Sequence, residues 1–262
     1  MRTTLITGAS GGIGEVFARR FAARGENVLL VARSADKLAA LCDELKRAHK
    51  VDAQFVALDL SERVAPAQLF EETGRRELEV ETLVNNAGFG LVGDYELLDL
   101  ESQLNMIDLN VRALAELAHR YLAPMRERRR GSIINVASTV AFQPVPFMAT
   151  YAATKAFVLS LSESLWEENR AHGIKVLALC PGSTDTNFFK VAGSDNPPDS
   201  VMQTPEAVVD TALGALARGQ SHVISGWGNF LLIEAGRLAP RSVVTRIAGK
   251  ILRKRYIPDN GR

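Results

Sequence analysis

A tyrosine and a lysine stand four residues apart in Tyr151-Ala-Ala-Thr-Lys155. On a helix such a pair shares one face, with Cβ atoms about 5–6 Å apart. A free phenol titrates near ~10 and exchanges protons poorly at neutral pH. A neighbouring ammonium favours phenolate and lowers that pKa, so the pair is expected to supply a general acid/base near working pH. The same spacing also arises by chance, as a surface tyrosine beside a solvated lysine. What decides between the two is the framework around it.

Strand-like and helix-like patterns alternate from the start of the chain. Thr3–Thr7 is a short β-branched run, and Ile13–Arg24 carries Ile13, Val16, Phe17 and Phe21 at helical spacing before Gly25, a suitable helix end. Asn27–Ala32 is continuously apolar, as in a strand covered on both faces. Further strands are expected at Ala53–Leu58, Val80–Asn85, Ser132–Ala137, Ile174–Leu179 and Ser221–Ile224. The helices between them run from a Ser34 cap to about His49, on to about Leu78 after the third strand, over about Ser102–Tyr121, from Tyr151 to about His172, and over Thr204–Arg218, with Thr204 capping and Pro205 at the first position. Alternation of this kind predicts right-handed β-α-β crossovers: an α/β, doubly wound parallel sheet with helices on both faces. Thr7-Gly-Ala-Ser-Gly-Gly-Ile-Gly14 joins the first strand to the first helix, where glycines and a helix N-terminus suit a pyrophosphate.

The bulk numbers exclude several alternatives. A net charge of +1 gives no global field for nucleic acid. Cys42 and Cys180 have no metal-ligand spacing and read as free thiols, no metal being expected. No run approaches the ~18 apolar residues of a membrane span, and Met1–Thr7 is too short an apolar run for a signal peptide, so a cytoplasmic protein is expected. One domain is expected over residues 1–225, with a loop lid at 186–204, followed by a basic helical extension of the same domain over 226–262.

Thr7–Gly14, Asn85-Asn-Ala-Gly88, Ser138, Tyr151-x-x-x-Lys155 and Pro181-Gly182 stand in the order and spacing of the short-chain dehydrogenase/reductase family, which the chain resembles over about Thr3–Thr186. Asn110 falls where that family carries its catalytic asparagine. The resemblance implies a single Rossmann-type domain with a seven-stranded parallel sheet in the order 3-2-1-4-5-6-7, a nicotinamide cofactor, and a site of Asn110, Ser138, Tyr151 and Lys155. In that scheme Tyr151 protonates the alkoxide formed as hydride reaches a carbonyl carbon, Ser138 holds the reacting oxygen, Lys155 binds ribose hydroxyls and tunes the tyrosine, and Asn110 supports proton resupply. Asn110 also reads on its own: an amide on the apolar stripe of Ile107, Val111 and Leu114 needs partners, either nearby backbone or a water reaching the lysine.

Around the cofactor, the resemblance assigns Gly8, Ser10, Gly12, Ile13 and Gly14 to the phosphate turn, Asp59 and Leu60 to the adenine, and Asn86, Ala87 and Gly88 to adenosine and ribose. Asp59 is also readable as a capping carboxylate. Pro181, Gly182, Thr184 and Thr186 fall beside the nicotinamide, and Tyr151 and Lys155 beside its ribose. Arg33 and Ser34 follow the second strand, where no acid stands. A guanidinium there suits the 2′-phosphate of NADP(H) over the free hydroxyl of NAD(H).

Phe89, Phe142, Pro144, Phe147, Met148 and Phe188 flank these motifs, so the expected substrate is a small hydrophobic ketone, aldehyde or alcohol. The rival readings are a 3-oxoacyl carrier-protein reductase and a non-catalytic NADP sensor. Residues 237–255 hold seven basic side chains and an apolar stripe from Val243 to Leu252. A basic amphipathic helix can lie on an anionic membrane; packing on the domain or on a partner subunit is the preferred expectation. Ala152, Ala153, Ala156 and Ser160 would allow close helix packing in a homodimer or homotetramer.

Overall fold

The computed structural model describes residues 1–193 and 202–256. The middle of the expected lid, residues 194–201, lies outside the described residues.

The apolar runs form β1 (Arg2–Thr7), β2 (Val28–Ala32), β3 (Ala53–Ala57), β4 (Glu79–Asn85), β5 (Gly131–Val136), β6 (Ile174–Cys180) and β7 (His222–Ile224). They pair in parallel in the order β3-β2-β1-β4-β5-β6-β7. Successive side chains alternate between faces, so Ile6 enters the layer under α1 (Gly12–Ala23), α2 (Ala35–His49) and α8 (Pro205–Ala217). Leu5 enters the opposite layer, under α3 (Ala65–Arg75) and α5 (Leu114–Glu127), while α4 (Leu100–Ile107), just before α5, sends Met106 into the cluster around Tyr151. Leu69 and Leu117 pack there, both fully buried. The order reverses between β1 and β4, and that switch leaves a crevice beyond the carboxyl ends of the strands.

Three details differ from expectation. Ser34 precedes α2, but its side chain makes no capping hydrogen bond. Thr204 does cap α8, accepting from Ala207 N at 3.2 Å. The helix expected at Ser102–Tyr121 starts earlier, because Asp99 accepts from Ser102 N at 2.8 Å. It is also divided: a π-helical turn, Asp108–Ala113, joins α4 to α5. Such turns insert one residue into the helical ladder and recur at functional sites; here the turn carries Asn110.

The short α7 (Phe188–Val191) lies between β6 and α8, and after β7 come α9 (Trp227–Arg237) and α10 (Arg241–Tyr256). The expected apolar stripe of α10 does not all pack inward. Leu252 packs against the domain, whereas Val243, Ile247 and Ile251 remain exposed. Among the described residues no helix is long and apolar enough to cross a membrane.

Candidate active site

The crevice collects side chains from three strand ends and one helix. Ser138 lies two residues beyond β5, and α6 (Ala149–Arg170) carries Tyr151 in its first turn and Lys155 one turn later. All three are buried. Lys155 Nζ donates to the Val136 carbonyl at 2.7 Å and stands 5.7 Å from the centre of the Tyr151 ring. Ser138 Oγ donates to the Pro181 carbonyl at 3.4 Å and accepts from Val140 N at 3.3 Å.

Asn110 is fully buried, and its amide bonds to the Phe89 backbone and to the Thr154 side chain. Nδ2 donates to Phe89 O at 2.9 Å and to Thr154 Oγ1 at 3.2 Å, while Oδ1 accepts from Phe89 N at 3.1 Å. Neighbouring backbone, one of the two partners expected for this amide, is present at Phe89. The pair of bonds pins the loop after β4 beside Lys155. Gly88 leaves the necessary room: a Cβ there would lie 2.8 Å from Asn110 Oδ1 and 3.5 Å from Lys155 Nζ.

The electrostatics correct the first expectation. Burial pushes the Tyr151 phenol well up, and the Ser138 hydroxyl pulls it only part of the way back. Burial also lowers the Lys155 ammonium to about 8. The lysine faces the ring, but removal from water dominates the phenol's shift, because the phenolate would lose its hydration. Tyr151 is therefore held protonated at neutral pH.

The remaining groups fit a dinucleotide. The N-terminus of α1 at Gly11 carries no side-chain cap, so its amides stay open to an anion. Gly8 sits at φ 67°, and a Cβ there would come within 2.7 Å of Asn86 Nδ2. Asn86 holds the turn, donating to Thr7 O at 2.9 Å and Gly8 O at 3.2 Å. Ser10, Gly12 and Ile13 lie half-buried along the same turn, and Gly14 is buried beneath it. Arg33 projects into solvent, 78 % exposed, with its guanidinium 3.9 Å from Asp59. Asp59 Oδ1 accepts from Ser61 N at 3.0 Å and Ser61 Oγ at 2.7 Å, closing a turn; it caps no helix, since α3 starts at Ala65 with Val64 at its N-cap. Leu60 is buried behind it and Ala87 packs on the same layer. On the other side, Thr184 Oγ1 donates to Gly182 O at 3.1 Å and Thr186 Oγ1 accepts from Phe188 N at 3.2 Å. The space left open at Gly182 is taken by the Asn229 side chain of α9.

The aromatic residues divide. Phe89, Met148 and Phe188 join Tyr151 in one apolar cluster with Val140, Leu91 and Leu252. The Phe188 and Tyr151 ring centres are 5.2 Å apart. Phe142, Pro144 and Phe147 lie elsewhere. Phe142 packs in a separate cluster, with Arg237 above its ring at 5.4 Å. Pro144 lines a groove with Phe142 and Ile233, and Phe147 lies beneath Arg253 at 5.3 Å. They sit between the loop after β5 and the C-terminal helices, in a segment that turns over at Phe147, φ 65°, before α6 begins.

Sequence reasoning missed several supporting residues. Thr7 Oγ1 accepts from both Asn86 N and Ala87 N at 3.0 Å, tying the end of β1 to the end of β4. Thr154, between Tyr151 and Lys155, donates to Tyr151 O at 2.7 Å while receiving Asn110. Asn85, Asn135 and Ser162 form a buried polar row under the site, at 2.9 Å for each link. Polar residues inside otherwise apolar runs were the available signal.

The chain matches the family described as short chain dehydrogenase over residues 2–197. It is 33 % identical over 233 residues to a protein of Macaca fascicularis named very-long-chain 3-oxoacyl-CoA reductase, covering 85 % of this chain and 73 % of that one. A short-chain dehydrogenase of Sphingobium yanoikuyae, solved in complex with NADPH, superposes with a TM-score of 0.83 at 33 % identity, over 91 % of this chain and 94 % of that one. The bulky-bulky ketone specific alcohol dehydrogenase of Comamonas testosteroni gives 0.77 at 32 % identity, over 91 % and 92 %. The open phosphate turn, the buried Ser138–Tyr151–Lys155 group and these likenesses together place the chain in the short-chain dehydrogenase/reductase family, as an oxidoreductase that uses a nicotinamide dinucleotide.

Proposed function

We propose that this enzyme reduces bulky hydrophobic ketones or aldehydes with NADPH, and runs in reverse as a secondary-alcohol dehydrogenase. The observation that carries the reading is the setting of Tyr151: a buried phenol held protonated among Met148, Phe188, Val140 and Leu91. Such walls favour an apolar substrate over a sugar or amino acid. The likeness to an alcohol dehydrogenase named for bulky ketones supports it.

The bound dinucleotide supplies the hydride. Gly8–Gly14 hold its phosphates at the α1 N-terminus, and Thr184 and Thr186 orient its nicotinamide end. Ser138 donates a hydrogen bond to the substrate oxygen, and Tyr151 delivers the proton as negative charge builds there. Lys155 binds the ribose hydroxyls with the N–H groups not used on Val136 O. Asn110 acts by positioning, since its amide fixes the Phe89 backbone next to the lysine.

NADPH consumption over methyl ketones of rising chain length tests the substrate class. Each buried methylene is worth ~0.8 kcal/mol, so kcat/KM is expected to rise about fourfold per carbon until the pocket is full. A flat series, or preference for a polar aldose, would overturn the reading. The name of the Macaca relative favours a second reading, a 3-oxoacyl thioester as substrate; 3-oxoacyl thioesters added to the same series separate the two.

The cofactor preference rests on Arg33, exposed at the end of β2 with Asp59 as its acidic neighbour. A charge-assisted hydrogen bond contributes ~1.5–3 kcal/mol. Arg33→Ala is therefore expected to lower the NADPH/NADH ratio of kcat/KM by about 10–100-fold, and an unchanged ratio would refute the assignment. A homodimer or homotetramer is supported by the exposed Ala153, Ala156 and Ser160 on α6; Ala152, expected in the same row, is buried in the Tyr151 cluster instead.

A further inference from the structure

We propose that the outward faces of α9 and α10 dock this protein on an anionic lipid surface. In α9, Asn229 and Ile233 turn inward: Asn229 donates to Ser225 O at 2.7 Å, and Ile233 is buried. Trp227, Leu231 and Leu238 occupy the opposite side and are 79, 62 and 91 % exposed. In α10 the inward residue is Leu252, which packs in the Tyr151 cluster. Its outward side carries two rows at i, i+4 spacing. One row is Val243, Ile247 and Ile251, 42, 55 and 59 % exposed. The other is Arg246, Lys250 and Lys254, all exposed and without an ion pair among the described residues.

Val243, Arg246, Ile247 and Lys250 edge a groove beside Pro146 and Phe147, yet all four stay exposed. A helix that only faces water has no need of the apolar row, and one that packs on a neutral protein face has no use for the basic row. The charge is also local: the whole chain carries +1, yet between Glu234 and Asp259 there are seven basic residues and no acidic one. An anionic bilayer surface accommodates both rows, with ammonium and guanidinium groups at the phosphates and the apolar side chains, Trp227 among them, at the acyl boundary. A groove of about 510 Å³ between α10 and Pro146–Phe147 opens on this side of the molecule. Through Leu252 the docking helix is also part of the wall around Tyr151.

The test is co-sedimentation of full-length protein with phosphatidylcholine vesicles, with and without phosphatidylserine. The protein should pellet with the anionic vesicles and be released by salt. Each basic residue near such a surface is worth roughly a factor of five, so Arg246→Gln/Lys250→Gln/Lys254→Gln should lower partitioning roughly a hundredfold. Ile247→Ser/Ile251→Ser should also weaken it, and both variants should reduce a water-soluble ketone at the wild-type rate. Equal recovery in the supernatant with and without vesicles would overturn the proposal. So would wild-type binding by both variants, or a dimer in light scattering that Ile247→Ser/Ile251→Ser splits while vesicles leave the protein in solution.

Discussion

Tyr151→Phe lowers kcat for carbonyl reduction by about 10²–10⁴-fold, the range a positioned proton donor contributes, and leaves the fold and dinucleotide binding near wild type. Only a hydroxyl is removed. The ring keeps its place 5.2 Å from Phe188 and its burial among Met148 and Ala152. The pH dependence has a definite sign. Burial raises the phenol, so the proton-donating form persists through neutral and mildly alkaline pH. Alcohol oxidation needs phenolate and so should climb with pH where reduction does not. Steady-state NADPH oxidation and NADP reduction across a pH series measure both arms. Near-wild-type turnover in Tyr151→Phe would show that the proton comes from elsewhere.

The arrangement of the sheet was legible because a strand buried on both faces must be apolar throughout, as Leu5–Ile6 and Leu29–Leu30 are. That the glycine turn, Ser138, Tyr151 and Lys155 meet beyond the strand ends was legible from their likeness to family motifs, which stand just after particular strands. The surroundings of those residues were not. Phe142 and Phe188 look alike in a sequence, but one is covered by Arg237 and the other by Tyr151. Periodicity says which face of a helix is apolar and is silent on what covers it, which is why Leu252 and Ile251, neighbours on α10, have different fates. The π-turn carries Asn110, whose partners Phe89 and Thr154 are both distant in sequence. Spacing likewise placed Lys155 beside Tyr151 but could not say how much water surrounds them, and that amount sets the sign of the phenol's shift.

That same burial makes Lys155 the second strong test. The kcat/KM for NADPH should fall as pH rises through about 8, where the ammonium loses its proton. Lys155→Met should lower kcat/KM about 10²–10³-fold and flatten that limb, since hydrogen bonds from a charged donor are worth ~1.5–3 kcal/mol each. Stability must run the opposite way. The lysine titrates near 8 when folded and near its ordinary 10.5 when unfolded. Between those values the unfolded chain holds the extra proton, so unfolding becomes harder as pH rises across the window. Below it, the folded protein bears the full cost of a buried ammonium whose one described hydrogen bond goes to Val136 O. Urea unfolding on either side of this window should show wild type gaining stability relative to Lys155→Met as pH increases. Parallel pH dependences in the two proteins would mean that the ammonium is not desolvated. Activity and stability thus place opposite demands on one proton, and an enzyme that works at neutral pH retains the charge its fold would be more stable without.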